Sequence, residues 1–201
     1  MPDVKSRREM YSEATRAALL DAATVLFADR GYAGTSLEDV ASAARVTRGA
    51  VYHHFAGKQA LFEAVLEEQE LRADAEVVAA ADGAADPWDA AELATEAFLS
   101  KCCEHAYGRL VWLEGPAALG WPRWRELEEK HAYGLVAGFV RALMDAGYLP
   151  RTAVDTTVRF AFWMLGGAGL ALAEAGPADR PRVRAEWAGL IRRVMGGLRI
   201  R

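Results

Sequence analysis

The sequence has few of the features that define secreted, disulfide-bonded or membrane-spanning proteins. Only two of its 201 residues are cysteines, and they are neighbours, Cys102 and Cys103. Because neighbouring cysteines cannot join distant parts of a chain, they exclude a disulfide framework and favour a reducing compartment, the cytoplasm. The first ten residues are polar and charged, so we expect no secretory signal. The longest uncharged apolar run, residues 160–173, is too short to span a bilayer, so we expect no membrane contact.

Strand patterns and catalytic motifs are equally scarce. The sequence has no clear alternating run of apolar and polar residues, and it has no Gly-rich phosphate loop, HExxH, GxSxG or CxxC motif. His53 and His54 are adjacent, and adjacent side chains on a helix point about 100° apart, so they cannot chelate one ion together. The sequence therefore predicts no enzyme, no cofactor and no metal site.

The charge is unevenly distributed. The formal net charge is −4, yet residues 1–60 contain 8 Lys and Arg against 7 Asp and Glu, while the remainder contains 16 against 21. A chain that binds nucleic acid over its whole surface would be basic throughout. An acidic body with a nearly neutral N-terminal part is compatible with phosphate contacts in that part alone.

Helical periodicity runs through the whole chain and predicts an all-α fold of about nine helices. We expect helices at about 12–30, 36–44, 47–55 and from residue 58 onwards, with a capping box at Thr35–Glu38 and a cap at Thr47. Further helices are expected at 87–105, 121–147, 152–175 and 180–198, and Gly115-Pro116 are expected to break the apolar segment 107–119. These elements predict a three-helix head, residues 1–57, and a helical body, residues 58–201.

The head has the features of a helix-turn-helix unit. A short helix, a tight turn and a second helix present a recognition helix to the major groove of DNA. Val40, Ala41 and Val51 belong to the apolar set that would join the two helices. Thr47 leaves free N–H groups at a helix start, where phosphate binds well, and Gly49 removes a side chain from the same turn. Lys58 opens the next helix, where an ammonium group also favours phosphate.

The segment TSLEDVASAARVTRGAVYHHFAGKQALFEAVL resembles the DNA-binding domain of the TetR family of bacterial repressors, and the match covers about a third of the chain. One position departs from the family pattern, because Arg45 stands where the family usually has glycine. A left-handed backbone there would strain the arginine, which would also be able to reach DNA. The matching positions are Thr35, Val40-Ala41, Ala44 with Val46-Thr47, Gly49, Val51-Tyr52, His54-Phe55 and Lys58 with Leu61.

The resemblance implies a role for individual residues. Side chains implied to contact phosphate are Thr35, Thr47, Tyr52, His54 and Lys58. Residues implied to lie nearest base edges are Arg48, Gly49, Ala50 and His53, of which Arg48 and His53 are able to read bases by hydrogen bonding. Two alternatives stay open at this point: Tyr52 as a core residue and Arg48 as a solvated surface charge. The basic residues Lys5, Arg7 and Arg8 precede the predicted first helix, and are candidates for the minor groove or for a tail without a role.

The body contains many aromatic residues with a few polar groups between them. A helical cavity lined in this way is the general form of a small-molecule site, although each of these residues is also a candidate for ordinary core. The candidates for a ligand pocket are Phe98, Cys102, Trp112, Trp124, His131 and Phe162.

The last two helices carry apolar stripes that the resemblance implies form a four-helix bundle between two subunits. The alternative is that both stripes pack on their own chain. The candidates for this dimer interface are Val158, Phe162, Leu165, Gly169, Trp187, Ile191 and Val194.

Taken together, these features predict a homodimeric regulator of transcription. We expect a cytoplasmic repressor that binds a palindromic operator in double-stranded DNA and is released by a small-molecule effector. Two alternatives remain. One is a DNA-binding adaptor whose body binds a protein, which a body without an aromatic-lined cavity would favour. The other is an all-α enzyme, which a bound metal or a strongly shifted carboxyl in the body would favour.

Overall fold

The computed structural model describes residues 7–200, and helices without strands make up this part of the chain. It divides into two compact units, one ending at Glu67 and one beginning at Glu68. The division falls inside a helix, ten residues beyond the predicted boundary, because the fourth helix is continuous from Lys58 to Ala81. We call the first unit the head and the second the body.

Four helices build the head. They are α1 (Arg7–Arg30), α2 (Leu37–Ala43), α3 (Arg48–His54) and the first part of α4 (Lys58–Ala81). Leu19, Ala23 and Phe27 of α1 are fully buried, and Gly31 ends the helix at a φ of 75°. Arg7 and Arg8, predicted to precede α1, are its first two residues. Lys5, also predicted to precede this helix, lies outside the described residues.

The start of α2 differs in detail from the prediction. Ser36, and not Thr35, caps the helix: its hydroxyl accepts from the Asp39 backbone N–H, and its own N–H donates to the Asp39 carboxylate at 2.9 Å. The reciprocal acid is therefore Asp39 and not Glu38, so the capping box is real but shifted by one residue. The predicted cap of α3 is confirmed, since Thr47 Oγ1 accepts from the Ala50 N–H at 3.3 Å.

The body continues with the rest of α4 and six further α-helical elements. They are α5 (Pro87–Cys102), α6 (His105–Tyr107), α7 (Gly115–Leu119), α8 (Trp121–Asp145), α9 (Val154–Glu174) and α10 (Arg180–Leu198), with a π-helical segment, Gly108–Glu114, between α6 and α7. The stretch 105–119 is one continuous helical run, and counting it once gives nine helices in the described chain, as predicted.

Gly115 and Pro116 do not break this run, contrary to the prediction. Pro116 lies at the start of α7, where the missing N–H costs least. The Gly115 N–H reaches back five residues to the Leu110 carbonyl, which is the π-helical pattern. A Cβ at Gly115 would lie 2.7 Å from Trp124 Cδ1, so glycine is needed here for close packing and not for a turn.

Helix α9 has an unusual environment for so apolar an element. By length and composition alone it is able to cross a membrane, so the shorter run 160–173 does not by itself exclude one. Val158 of α9 belongs to the hydrophobic core of the body, whereas Phe160 and Leu170 of the same helix are 50% and 41% exposed. The exposed residues therefore require an explanation other than the core of one chain.

Candidate DNA-binding surface and ligand cavity

The turn between α2 and α3 is closed by a helix-ending motif that places Arg45 in the left-handed region. Arg45 has a φ of 57°, a left-handed conformation that agrees with the glycine usually found at this position in the family. Its N–H donates to the Ser42 carbonyl at 3.1 Å, and the Val46 N–H donates to the Ala41 carbonyl at 2.9 Å. These two bonds hold the turn tightly enough to keep an exposed arginine in a conformation that favours glycine.

The predicted apolar set fixes α3 against the rest of the head. Val40 and Val51 are fully buried, and Ala41 and Phe55 are nearly so. The opposite side of α3 faces away from this core. Arg48, Gly49, Tyr52 and His53 are exposed there, and Ala50 is partly buried. Tyr52 keeps 48% of its surface exposed, which excludes the alternative that it is ordinary core.

Arg48 is partnered and is not a free surface charge. Its guanidinium lies 2.7 Å from the Glu38 carboxylate of α2, and it donates to the Tyr52 hydroxyl at 3.2 Å. The same guanidinium lies over the Tyr52 ring, 5.4 Å from its centroid. The hydrogen bond to Tyr52 and the charge of Glu38 raise the pKa of Arg48. Both α2 and α3 therefore position the side chain that is the best candidate for reading a base.

His54 is suited to hydrogen bonding more than to charge pairing. Partial burial, the neighbouring His53 and the charge of Arg16 lower the pKa of His54, so its ring is neutral at pH 7. The rings of His53 and His54 meet edge to face at 5.1 Å between centroids. Within residues 7–200 no group of three or more His, Cys, Asp and Glu side chains is placed to hold a metal ion.

Gly49 has space around it. A Cβ at this position would meet only Thr47 Oγ1, at an ordinary contact distance of 3.7 Å. The head on its own therefore gives no packing reason for a glycine, and Gly49 remains a candidate for close approach to DNA. Lys58 Nζ lies 4.3 Å from the centroid of the Tyr32 ring, at the first position of α4.

Thr35 does not fit the phosphate contact that the resemblance implies for its side chain. It is 2% exposed, and its hydroxyl lies within hydrogen-bond distance of two carbonyl oxygens, Leu26 at 3.1 Å and Gly31 at 3.0 Å. Thr35 therefore joins the end of α1 to the start of α2. Of the ten predicted DNA-binding residues, it is the one whose side chain is directed into the head.

The body contains a partly open apolar cavity of about 130 Å³. Four of the predicted pocket residues line it, namely Phe98, Trp112, Trp124 and Phe162. The other two, Cys102 and His131, do not belong to its lining. Cys102 is almost completely buried, and burial raises the pKa of its thiol well above the usual range, so the thiol is inert.

The cavity also contains carboxyl groups that the sequence analysis missed. Glu70 and Asp74 of α4 and Glu128 of α8 line it, and Glu70 and Glu128 are only 2% and 4% exposed. The signal was present in the sequence, since Glu70 falls on the same stripe of α4 as the buried residues Leu66 and Ala73. An acid on a buried stripe is unusual and indicates a buried carboxyl group with a specific role.

Burial changes the protonation of this cluster. It raises the pKa of Glu70 to about 8, with a further contribution from the charge of Asp74. Burial and then the charges of Glu70 and Asp74 raise the pKa of Glu128 well above its usual range. Burial also raises the pKa of Asp74, which His131 partly offsets. Glu70 is therefore protonated at neutral pH in the protein alone, and Glu128 keeps its proton to a higher pH than an exposed glutamic acid does.

The residues predicted for the dimer interface are divided between the inside and the outside of the body. Val158, Phe162, Gly169 and Ile191 are buried in their own chain, so the prediction for these four is corrected. Gly169 packs against Trp112: a Cβ on the glycine would lie 2.6 Å from Trp112 Cζ2. Stripe periodicity alone did not distinguish an inward from an outward face. The remaining three, which are partly buried, are Leu165, Trp187 and Val194.

Comparison with known proteins agrees with this architecture. Residues 19–65 match the family model described as bacterial regulatory proteins, tetR family, and residues 88–198 match the tetracyclin repressor-like C-terminal domain. A TetR-family transcriptional regulator from Pectobacterium atrosepticum has a similar solved structure, with a TM-score of 0.82, 29% identity, and coverage of 98% of this chain and 99% of that one. The match to the C-terminal domain, residues 88–198, spans more than half of the chain.

Curated relatives give a consistent result. The transposon Tn10 TetC protein of Escherichia coli is 26% identical over 145 residues, which are 72% of this chain and 73% of that protein. A helix-turn-helix transcriptional repressor of Mycobacterium tuberculosis is 48% identical over 63 residues, 30% of this chain and 34% of that protein. The chain thus matches only about a third of the second relative's length. The two domain matches and the helix-turn-helix geometry establish that the chain belongs to the tetR family of bacterial regulatory proteins and is a DNA-binding regulator of transcription.

Proposed function

We propose that the protein is a homodimeric repressor that binds a palindromic operator and leaves it when a small molecule enters the body cavity. The observation that carries the proposal is the coexistence of two surfaces in one chain. The head exposes one side of α3, with Arg48, Tyr52 and His53, and the body holds an aromatic-lined cavity. A regulator without an effector would have no use for the second feature. We also propose a cytoplasmic location, as for other DNA-binding regulators of this family.

Nine head residues form the proposed operator contact. Arg48 and His53 read base edges, and Gly49 and Ala50 let the backbone of α3 come close to the groove. Phosphate contacts come from the N-terminus of α3 at Thr47, from Tyr52 and His54, and from Lys58 and Arg45. We omit the Thr35 side chain, because its hydroxyl already bonds within the head.

A second copy of the chain is the proposed partner of the exposed side of α9. Exposed or partly exposed residues recur along this helix at spacings of three and four, the pattern of a helix that packs against another helix. Trp187 and Val194 continue the partly buried face on α10, and Leu190 between them is 43% exposed. Two heads in one dimer would read the two halves of a palindrome. The α9 residues in this face are Phe160, Trp163, Gly167 and Leu170.

Release by an effector follows from linkage. If the effector binds better to one arrangement of the dimer and DNA to another, each ligand weakens the other equally, and a coupling of about 1–3 kcal/mol changes affinity by about 5- to 150-fold. We assign the coupling to α4. This single helix begins at Lys58 of the DNA contact and carries Glu70 and Asp74 of the cavity farther along.

The two alternatives from the sequence have different support. The adaptor required a body without an aromatic-lined cavity, and the cavity argues against it. A carboxyl group with a strongly shifted pKa would favour the enzyme, and Glu70 and Glu128 are such groups. We assign them to ligand recognition, because the rest of the cavity wall is mainly hydrocarbon and aromatic.

Operator binding is tested by fluorescence anisotropy with DNA from the chain's own upstream region, measured over a range of salt concentrations. Lys58→Ala should weaken binding to all sequences and lower the salt slope by about one. Arg48→Ala should relax the preference at one base position in each half-site. The matched control is Lys130→Ala, an exposed lysine of the body. Equal salt slopes for the wild type and Lys58→Ala would contradict the proposed phosphate contact.

Dimer formation is tested separately by light scattering coupled to gel filtration. Leu170→Glu places a charge in the proposed face and should convert the dimer to monomer. The control, Val78→Glu, changes an exposed apolar residue of α4. A dimer that survives Leu170→Glu unchanged would mean that another surface joins the subunits.

A further inference from the structure

We propose that the body cavity selects an apolar organic cation, with a protonated amine held among Glu70, Asp74 and Glu128 and its hydrocarbon part held by the aromatic wall. This inference rests on the proposed function, because it names the chemical class of ligand for the same cavity. It is carried by four features of the cavity: its acidic groups, an unsatisfied oxygen, its lack of basic residues and its aromatic rings.

The three carboxyl groups come from two helices that face one cavity. Glu70 and Asp74 lie one turn apart on α4, and Glu128 lies on α8. They are close enough to interact, since the charge of Asp74 affects Glu70, and the charges of Glu70 and Asp74 both affect Glu128. A buried acid without a compensating charge destabilises a protein, so three in one place require a reason.

One of these acids has an oxygen available. Glu70 Oε1 is buried, and it has no hydrogen-bond partner among the described residues. The same carboxyl group is hydrogen-bonded to the Tyr107 hydroxyl, which is completely buried and fixes its orientation. An unsatisfied buried oxygen destabilises the protein, so a ligand that donates a hydrogen bond to it recovers that cost. A protonated amine donates up to three such bonds.

No basic side chain competes for the acids inside the cavity. Within the described chain its lining contains no Lys, Arg or His. His131 affects Asp74 from α8 but is not part of the lining, and Cys102 lies near Tyr107 with its thiol protonated. The groups that face Glu70 are therefore Asp74, Glu128 and Tyr107, and each of them is an acid. A ligand carboxylate would find no cationic side chain to pair with at this site.

Aromatic rings supply the rest of the recognition. Trp112 and Trp124 meet edge to face at 5.8 Å, and Phe98 meets Trp112 at 6.3 Å between centroids. Indole faces attract organic cations, and their hydrocarbon surface also buries an apolar chain. A neutral ligand with a hydroxyl gains the second contribution and one hydrogen bond to Glu70 Oε1, so the charge of the amine decides the preference.

The test compares three probes with one apolar body, namely 4-phenylbutylamine, 4-phenylbutanol and 4-phenylbutyrate, by isothermal titration calorimetry. At pH 8 the amine should bind at least tenfold more tightly than the alcohol, and the carboxylate should bind least. Titrations in phosphate and Tris should differ in heat, because binding of the amine releases protons from the carboxyl groups. At pH 6 the advantage of the amine should shrink, while binding of the alcohol should not change.

Glu70→Gln should reduce the ratio of amine to alcohol affinity to less than threefold, mainly through a loss of affinity for the amine. The matched control is Glu126→Gln, an exposed glutamate on the same helix as Glu128, and it should keep the wild-type ratio. If Glu70→Gln does not fold, Glu128→Gln and the wild-type comparison of probes carry the test. An alcohol that binds as tightly as the amine overturns this inference but leaves the cavity as an effector site. If none of the three probes binds, the inference is also overturned, and the effector site is then judged by DNA release.

Discussion

The guanidinium of Arg48 lies 2.7 Å from the Glu38 carboxylate, so the residue best suited to read a base is paired with an acid of the neighbouring helix. DNA must compete with Glu38 for this side chain. Glu38→Gln should therefore raise operator affinity about three- to tenfold, while stability changes by about 0.5 kcal/mol or less, as for other exposed pairs. Anisotropy titrations measure the affinity, and Asp29→Asn of α1 is the control. Weaker binding by Glu38→Gln would instead mean that Glu38 holds Arg48 in its DNA-binding position.

Replacement of Gly49 should affect operator binding but not the stability of the head. Gly49→Ala adds a methyl group that contacts only Thr47, so thermal stability should stay constant or rise by up to about 1 kcal/mol. Operator affinity should fall at least tenfold, because the same methyl group would stand between α3 and the groove. Gly134→Ala, an exposed helical glycine of the body, should leave affinity unchanged. Wild-type affinity for Gly49→Ala would contradict the proposed approach of α3.

Arg45 combines a strained backbone with a charge, and two substitutions separate them. Arg45→Gly should relieve the left-handed conformation and stabilise the head by about 1 kcal/mol or somewhat less, because glycine also gains freedom in the unfolded chain. Arg45→Ala should keep most of the strain. Both should weaken operator binding equally if the charge reaches phosphate, as titrations at two salt concentrations would show. Equal stability of the two variants would contradict the strain.

The buried carboxyl of Glu70 predicts a loss of stability at high pH. The folded protein keeps this proton up to about pH 8, while the ordinary pKa of the group is 4.5. Between these values the folded state binds more protons, so the free energy of unfolding falls as pH rises and this contribution levels off above pH 8. Glu70→Gln should remove a loss on the order of 4 kcal/mol. Urea unfolding from pH 5 to pH 9 measures it, and parallel pH curves for both proteins would contradict the shift.

Two glycines of α9 offer a matched pair. Gly169→Ala would force Trp112 to move and should destabilise the body by about 1–3 kcal/mol. Gly167 is exposed in one chain, and a Cβ there would meet the Trp187 ring at 3.4 Å. In the Leu170→Glu background, which removes the proposed subunit contact, Gly167→Ala should therefore be neutral or stabilising. Thermal unfolding measures the stability of the two variants. An equal loss of stability in both would mean that the packing of Gly169 against Trp112 is not the cause.

The head was predictable largely because its signals are local. The Thr47 cap, the left-handed turn at Arg45 and the bounds of α3 depend on residues within a few positions of one another. The error at Thr35 arose because two adjacent hydroxyls fit the cap equally well, and only the end of α1 decides between them. In the body, α10 was predicted to the residue, but whether Ile191 faced inward depended on elements far away in sequence.

The π-helical segment sets the rotational phase of everything that follows it in the run 105–119. Each residue of a helix advances the side chains by about 100°, and the wide turns before Gly115 accommodate one residue more than α-helical turns would. Losing a single residue there would return the run to α-helical geometry and rotate Trp112 relative to Gly115. A deletion of one codon would thus change the shape of the cavity by moving Trp112, without any amino-acid substitution. A single mutation of this kind would be able to change which effector the cavity accepts.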